Sequence, residues 1–159
     1  MHVLARSGAL VLLLARALTG QDAVFTPHAQ WELRTQTIVA RTTVVSMAAG
    51  VNVPAGTFLR VGLSAGAGST LRTPGGVEWR ADVVTRYLLD PFREIRWGLY
   101  AGAGLTMAWG PHDRASADLL VVAGIEGPDV HGWRPSAELG LGGGARAGLV
   151  FRRARRIGR

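Results

Sequence analysis

From about Gln30 onward the chain alternates apolar and polar positions with a period of two, the spacing of strands whose two faces meet unlike surroundings. Between Thr57 and Ser69 the odd positions are Leu59, Val61, Leu63, Ala65 and Ala67, and the even ones Arg60, Gly62, Ser64, Gly66 and Gly68. Val77 to Leu89 repeats the parity, with Val77, Trp79, Ala81, Val83, Tyr87 and Leu89 odd against Glu78, Arg80, Asp82 and Arg86 even. Trp97 to Trp109, Ala115 to Gly127 and Trp133 to Gly143 follow the same rule. Turn-forming runs separate these stretches: Asn52-Val53-Pro54-Ala55-Gly56, Thr73-Pro74-Gly75-Gly76, Asp90-Pro91-Phe92, Gly110-Pro111-His112-Asp113 and Gly127-Pro128-Asp129. Strands are expected to begin near residues 29, 41, 57, 76, 96, 115, 132 and 145, which makes eight. The outer two hairpins are the least marked. Thr37 to Arg41 holds no turn residue, and Gly142-Gly143-Gly144 reads as strand or turn.

Alternation alone fits a soluble barrel or sandwich with its apolar face inside. Three features favour the inverted arrangement. The polar face is dominated by Gly, Ser, Thr and Ala, whereas a soluble exterior runs to about 25–35% charged residues. Small residues suit the crowded interior of an eight-stranded barrel. All five tryptophans (Trp31, Trp79, Trp97, Trp109 and Trp133) share the apolar parity with Tyr87, as expected of membrane-interface aromatics. Trp97 and Trp109 lie roughly 40 Å apart along a strand at ~3.3 Å per residue. At a tilt of about 45° that projects to about 28 Å, near the ~25 Å apolar band that aromatic girdles flank.

The charges inside the strands also balance. Glu32, Glu78, Asp82, Asp118, Glu126 and Glu138 stand on even positions against Arg34, Arg60, Arg80, Arg86, Arg134 and Arg146, six of each sign. In a poorly hydrated interior such a set is expected to pair with itself as a lumen charge network, with Tyr100 among it, because an unpartnered buried charge is expensive.

The 159 residues make one domain. There are no cysteines, which excludes disulfides and thiolate metal sites. The formal charge of +7 invites a nucleic-acid reading. Of the 18 basic residues, all arginine, seven sit at the ends: Arg6, Arg16, Arg152, Arg153, Arg155, Arg156 and Arg159. That leaves 11 Arg against 11 acidic residues over positions 21–151, so the body is neutral and no nucleic acid is expected as a partner.

Residues 1–20 read as a signal peptide. Arg6 precedes the apolar run Gly8 to Ala15, and small residues follow, with the cleavage point open between Ala17 and Gly20 or slightly beyond. The run is too short to span a membrane as a helix, which takes about 20 apolar residues. The chain therefore divides into the signal peptide (1–20), a β-barrel (21–151) and a basic C-terminal tail (152–159). The fold class is all-β, an antiparallel up-and-down barrel of about eight strands.

With Gly/Ala-rich strands such as Trp97-Gly98-Leu99-Tyr100-Ala101-Gly102-Ala103-Gly104-Leu105, residues 29 to 151 resemble the small outer-membrane β-barrel families of Gram-negative-type bacteria, the porin-like and transmembrane-domain class. Such families close on a strand with a polar residue, Gly and terminal apolar or aromatic residues, which the assembly machinery reads. Arg146, Gly148 and Phe151 match that pattern, while Arg153 takes its last position. The resemblance implies an outer-membrane location, with outer-membrane lipids and the assembly machinery as partners, and a monomer.

Motifs that carry chemistry elsewhere are out of context here. Gly62-Leu63-Ser64-Ala65-Gly66 has the spacing of a nucleophile elbow but lies mid-strand rather than on a strand-to-helix turn. Gly140, Gly142 and Ala145 imitate a dinucleotide fingerprint without its βαβ unit. His28, His112 and His131 fall in loops or in the N-terminal lead. His112 and Asp113, with Ser116, make one cluster that a lipid-modifying enzyme could use, and they are too few ligands for a metal. No enzyme activity, cofactor or metal is expected, and the expected role is structural or that of a narrow pore. The alternatives are a soluble exported lipocalin-like barrel that binds an apolar ligand, in the periplasm or secreted, and a lipid-modifying barrel enzyme. The arginine tail could meet anionic headgroups or remain a solvated terminus.

Overall fold

A computed structural model describes residues 29–72, 75–91, 96–110 and 115–154. The signal peptide, His28, His112, Asp113 and residues 155–159 lie outside them. Eight strands follow in chain order: β1 (Gln30–Val39), β2 (Thr43–Pro54), β3 (Leu59–Thr70), β4 (Val77–Leu88), β5 (Gly98–Trp109), β6 (Ser116–Glu126), β7 (Trp133–Leu141) and β8 (Ala145–Ala154). Each pairs antiparallel with the next, and β8 pairs with β1 to close the barrel. Closure leaves no sheet edge, so every strand finds ladder partners on both sides.

The expected strand starts fall within two residues of those observed. Both weakly marked hairpins are real. Residues 40–42 turn without Gly or Pro, tightened by the Ala40 amide donating to Thr42 O at 3.2 Å. Residues 142–144 turn on Gly143 at φ 66° and Gly144 at φ 146°, where a side chain would be strained.

Parity holds around the whole ring. Odd residues face out: Met47 is 73% exposed and Leu63 60%. Even residues face in, where Glu32, Arg34, Arg80, Asp82, Arg86, Glu126, Glu138 and Arg146 are buried. The lumen is not polar throughout. Ile38, Val44, Val84, Leu120, Val122 and Val150 also point inward and are buried, with Val84, Leu120 and Val122 in mutual contact. This apolar wedge from β4 and β6 shares the barrel's middle with the charges.

Gln30, Pro54, Leu59, Leu88, Gly98, Glu126, Trp133 and Ala154 end their strands at one rim, here the terminal rim. Val39, Thr43, Thr70, Val77, Trp109, Ser116, Leu141 and Ala145 end theirs at the opposite rim.

One boundary differs from the sequence reading. The barrel does not stop at residue 151, because β8 continues through Ala154 and brings Arg152 and Arg153 into the ladder opposite Glu32 and Trp31. Arg152 is even and turns inward at 1% exposure, whereas Arg153 is odd and turns outward. The basic character of the run masked its continued alternation.

Candidate functional site

Two surfaces could carry function: the ionic lumen and the apolar outer face with its rims. In the lumen, Arg152 reaches from β8 into the densest cluster. Its Nε donates to Glu32 Oε2 at 3.0 Å, Nη1 to Glu126 Oε2 at 2.9 Å and to Ser136 Oγ at 3.0 Å, and Nη2 to Tyr100 Oη at 3.2 Å. The guanidinium also stands 5.0 Å from the centre of the Tyr100 ring, within reach of a cation–π contact. Tyr100 Oη in turn donates to Glu138 Oε2 at 3.0 Å. Glu126 takes a second arginine from β3, Arg60 Nη1, at 3.1 Å.

The network continues through Arg34 and Arg86. Glu32 Oε1 accepts from Arg34 Nη2 at 3.0 Å and from Arg86 Nη2 at 3.3 Å. Glu138 accepts from Arg86 Nε at 3.4 Å, and its Oε1 lies 2.8 Å from Arg34 Nη1. Arg34 Nη1 lies 4.0 Å from Asp82, the link toward the opposite rim. There Arg146 grips Asp82 with two bonds of 3.2 Å and reaches Thr106 Oγ1 at 3.0 Å. Arg80 donates to Thr106 at 3.3 Å and pairs with Glu78 two residues back on β4. Asp118 faces inward opposite Thr106. Its Oδ2 and Arg80 Nη1 both lie beneath Gly143, 3.2 and 3.3 Å from where a Cβ would stand.

Eleven of the twelve expected lumen charges thus belong to the interior cluster: Glu32, Arg34, Arg60, Glu78, Arg80, Asp82, Arg86, Asp118, Glu126, Glu138 and Arg146. Arg134 is the exception. It opens β7 at the terminal rim, half-buried, with its Nε 3.5 Å from Asp129 in the preceding loop. Arg152, expected in the tail, takes its place, so the interior still holds six arginines against six carboxylates. The parity of Arg152 was the signal that would have found it.

These pairs mostly cross the lumen rather than run along the ladder. Arg86 joins β4 to β1 and β7, Arg60 joins β3 to β6, and Arg146 joins β8 to β4. Little space remains between them. Two voids of about 10 Å³ each flank the network, one beside Arg34 and Arg146 and the other beside Arg60, Tyr100 and Glu126. Each has room for about one water.

Catalytic geometry is not assembled among the described residues. Ser64 is buried mid-strand on β3 opposite Asp82, not exposed on a turn. His131, the one histidine among the described residues, occupies a left-handed position (φ 55°) in the β6–β7 loop. Gly140 lies in β7, Gly142 in the following turn and Ala145 in β8, with no helix beside them.

On the outer face, Trp31, Trp79, Tyr87, Trp97 and Trp109 are exposed and Trp133 is half-exposed. Trp31, Tyr87, Trp97 and Trp133 ring the terminal rim, joined by Phe58, which stacks on Tyr87 with ring centres 5.7 Å apart. Trp79 and Trp109, paired across β4 and β5, mark the opposite rim.

Apolar outside and charged inside, this is a closed eight-stranded β-barrel of inverted polarity. It shares its fold with barrels of known structure. The crystal structure of neisserial surface protein A (NspA) matches with a TM-score of 0.62 at 12% identity, over 81% of this chain and 97% of that one. The N-terminal β-barrel domain of Pseudomonas aeruginosa OprF matches with a TM-score of 0.55 at 13% identity, over 80% and 99% of the two chains. A de novo designed transmembrane β-barrel matches with a TM-score of 0.50 at 12% identity, over 79% and 94%. No protein-family profile matches the chain. No curated protein sequence matches it either.

Proposed function

We propose that this chain is an outer-membrane β-barrel with a structural role and a sealed interior, working as a monomer among outer-membrane lipids after delivery by the assembly machinery. The observation that carries this reading is the inversion of polarity. Large apolar side chains stand exposed on all eight strands, while the interior gathers six charges of each sign. In water that exterior would be one continuous apolar patch far beyond the few hundred Å² that soluble monomers show. In a bilayer it is the expected surface. The fold shared with a designed transmembrane barrel supports the same reading.

The filled lumen argues against a soluble carrier of an apolar ligand, which needs a cavity of about 300 Å³ or more. It also favours a seal over a narrow pore. In this reading the protein stays in the membrane pellet after carbonate washing of the cell envelope; recovery in the soluble wash would overturn it. Incubation with labelled outer-membrane lipid is expected to give no acyl transfer or release. Turnover would instead favour the lipid-modifying enzyme.

A further inference from the structure

We infer that Arg153, flanked by Trp31 and Trp133, is a binding site for the phosphate of an anionic phospholipid at the terminal rim. The inference rests on the membrane reading above. Arg153 is the one charged side chain on the outward face of the eight strands. It stands near the end of β8, in register with Trp31 on β1 and with Trp133 on β7, so the three form a row across the seam of the barrel. Adjacent strands lie about 4.8 Å apart, which places an indole on each side of the guanidinium. The Arg153 guanidinium carbon is 5.4 Å from the centre of the Trp133 ring.

Apart from this ring contact, Arg153 makes no hydrogen bond to another described residue, which leaves its N–H groups to a ligand. Among the described residues no carboxylate pairs with Arg153. The neighbouring Arg152, of identical chemistry, is saturated by internal partners. An arginine at mid-membrane would cost ~2–4 kcal/mol, but near the interface the cost falls to about 0–1 kcal/mol. Arg153 sits at a strand end among the rim aromatics, at the level of lipid headgroups. The anion abundant in that plane is the phosphodiester, whose oxygens match the planar N–H fork of arginine. An indole N–H at the same level can donate to the same headgroup.

The test uses a full-length chain in which Trp79, Trp97 and Trp109 are replaced by Phe, so that Trp31 and Trp133 report. It is refolded into vesicles of phosphatidylcholine and phosphatidylglycerol, with one or the other brominated to quench tryptophan fluorescence. At the reporters the anionic lipid is expected to be preferred about five-fold, the effect of roughly one basic residue at an anionic surface. Arg153→Gln should abolish the preference, while Arg41→Gln and a triple Gln replacement of Arg155, Arg156 and Arg159 should leave it intact. In the reporter chain itself 1 M NaCl should suppress it, since screening then acts within about 3 Å, and that measurement does not depend on the Arg153 variant folding. Equal quenching by the two lipids, a preference that survives Arg153→Gln, or one lost only in the tail variant would overturn the inference while leaving the membrane reading in place. Quenching by neither lipid would overturn both.

Discussion

Arg152 holds more of the lumen together than its neighbours, since one guanidinium meets Glu32, Glu126, Tyr100 and Ser136. Replacing it with Ala removes one counter-charge from three buried carboxylates, Glu32, Glu126 and Glu138. Breaking a buried pair costs about 3–5 kcal/mol, and because Arg60, Arg34 and Arg86 remain, the lower end applies. Arg152→Ala should therefore unfold from lipid vesicles at clearly lower urea, as should Glu126→Ala and Arg80→Ala, whereas Arg155→Ala should match the parent. Interior variants as stable as the parent would remove the network from the account of stability. Gly124 gives a second residue-scale expectation. A Cβ there would stand 2.3 Å from Tyr100 Cζ. The ring cannot retreat without giving up its bonds to Glu138 and Arg152. Gly124→Ala is expected to destabilise by about 1–3 kcal/mol, the usual cost of overpacking, again read from the urea midpoint.

At the scale of the strand, parity decides almost everything, and the β1–β8 seam is where an error would show. Thr37 faces Ala147 across it, both outward. Paired residues on neighbouring antiparallel strands have Cα atoms about 4.5–5.5 Å apart, within disulfide range. Cysteines at Thr37 and Ala147 should cross-link on oxidation and alter migration on a non-reducing gel, while the pair Thr37 and Gly148, on opposite faces, should not. Single cysteines at Leu63, Val83, Leu105 and Val121 should react with bilayer-confined probes and resist aqueous ones. Labelling of all four by aqueous reagents would mean another register. The strands were legible in the sequence because the parity of residues such as Leu63 and Ser64 persists from β1 to β8. Less legible was what fills the lumen. Leu120, Val122 and Val150 sit on the even parity that Gly and charged residues otherwise occupy, and a period of two says which way they point but not that they meet Val84. Arg134 and Arg152 changed places for a related reason. Alternation gives both an inward direction, but depth along the barrel sets the partner, so Arg134 at the rim finds Asp129 and Arg152 finds the core.

Taken together, the eight strands enclose a lumen filled by their own side chains. An eight-stranded barrel is just wide enough for its own side chains, and here cross-lumen pairs such as Arg86 with Glu32 and Glu138 interlock in it. Little or no steady conductance is expected in planar bilayers, and large stable openings would contradict the sealed interior. The same pairs bear on how the chain is made. Arg152 and Glu32 are 120 residues apart, and Arg146 and Asp82 are 64 apart. Two of the six interior cations, Arg146 and Arg152, come from β8, which is also the strand that covers the edge of β1. A product ending before residue 145 would bring four arginines against six carboxylates to the lumen and leave β1 unpaired. Neutrality and closure are thus completed by the same ten residues, so an unfinished chain is penalised by electrostatics and by its bare edge together. The arrangement amounts to proofreading: a copy that lacks β8 is left both charged inside and open at one edge.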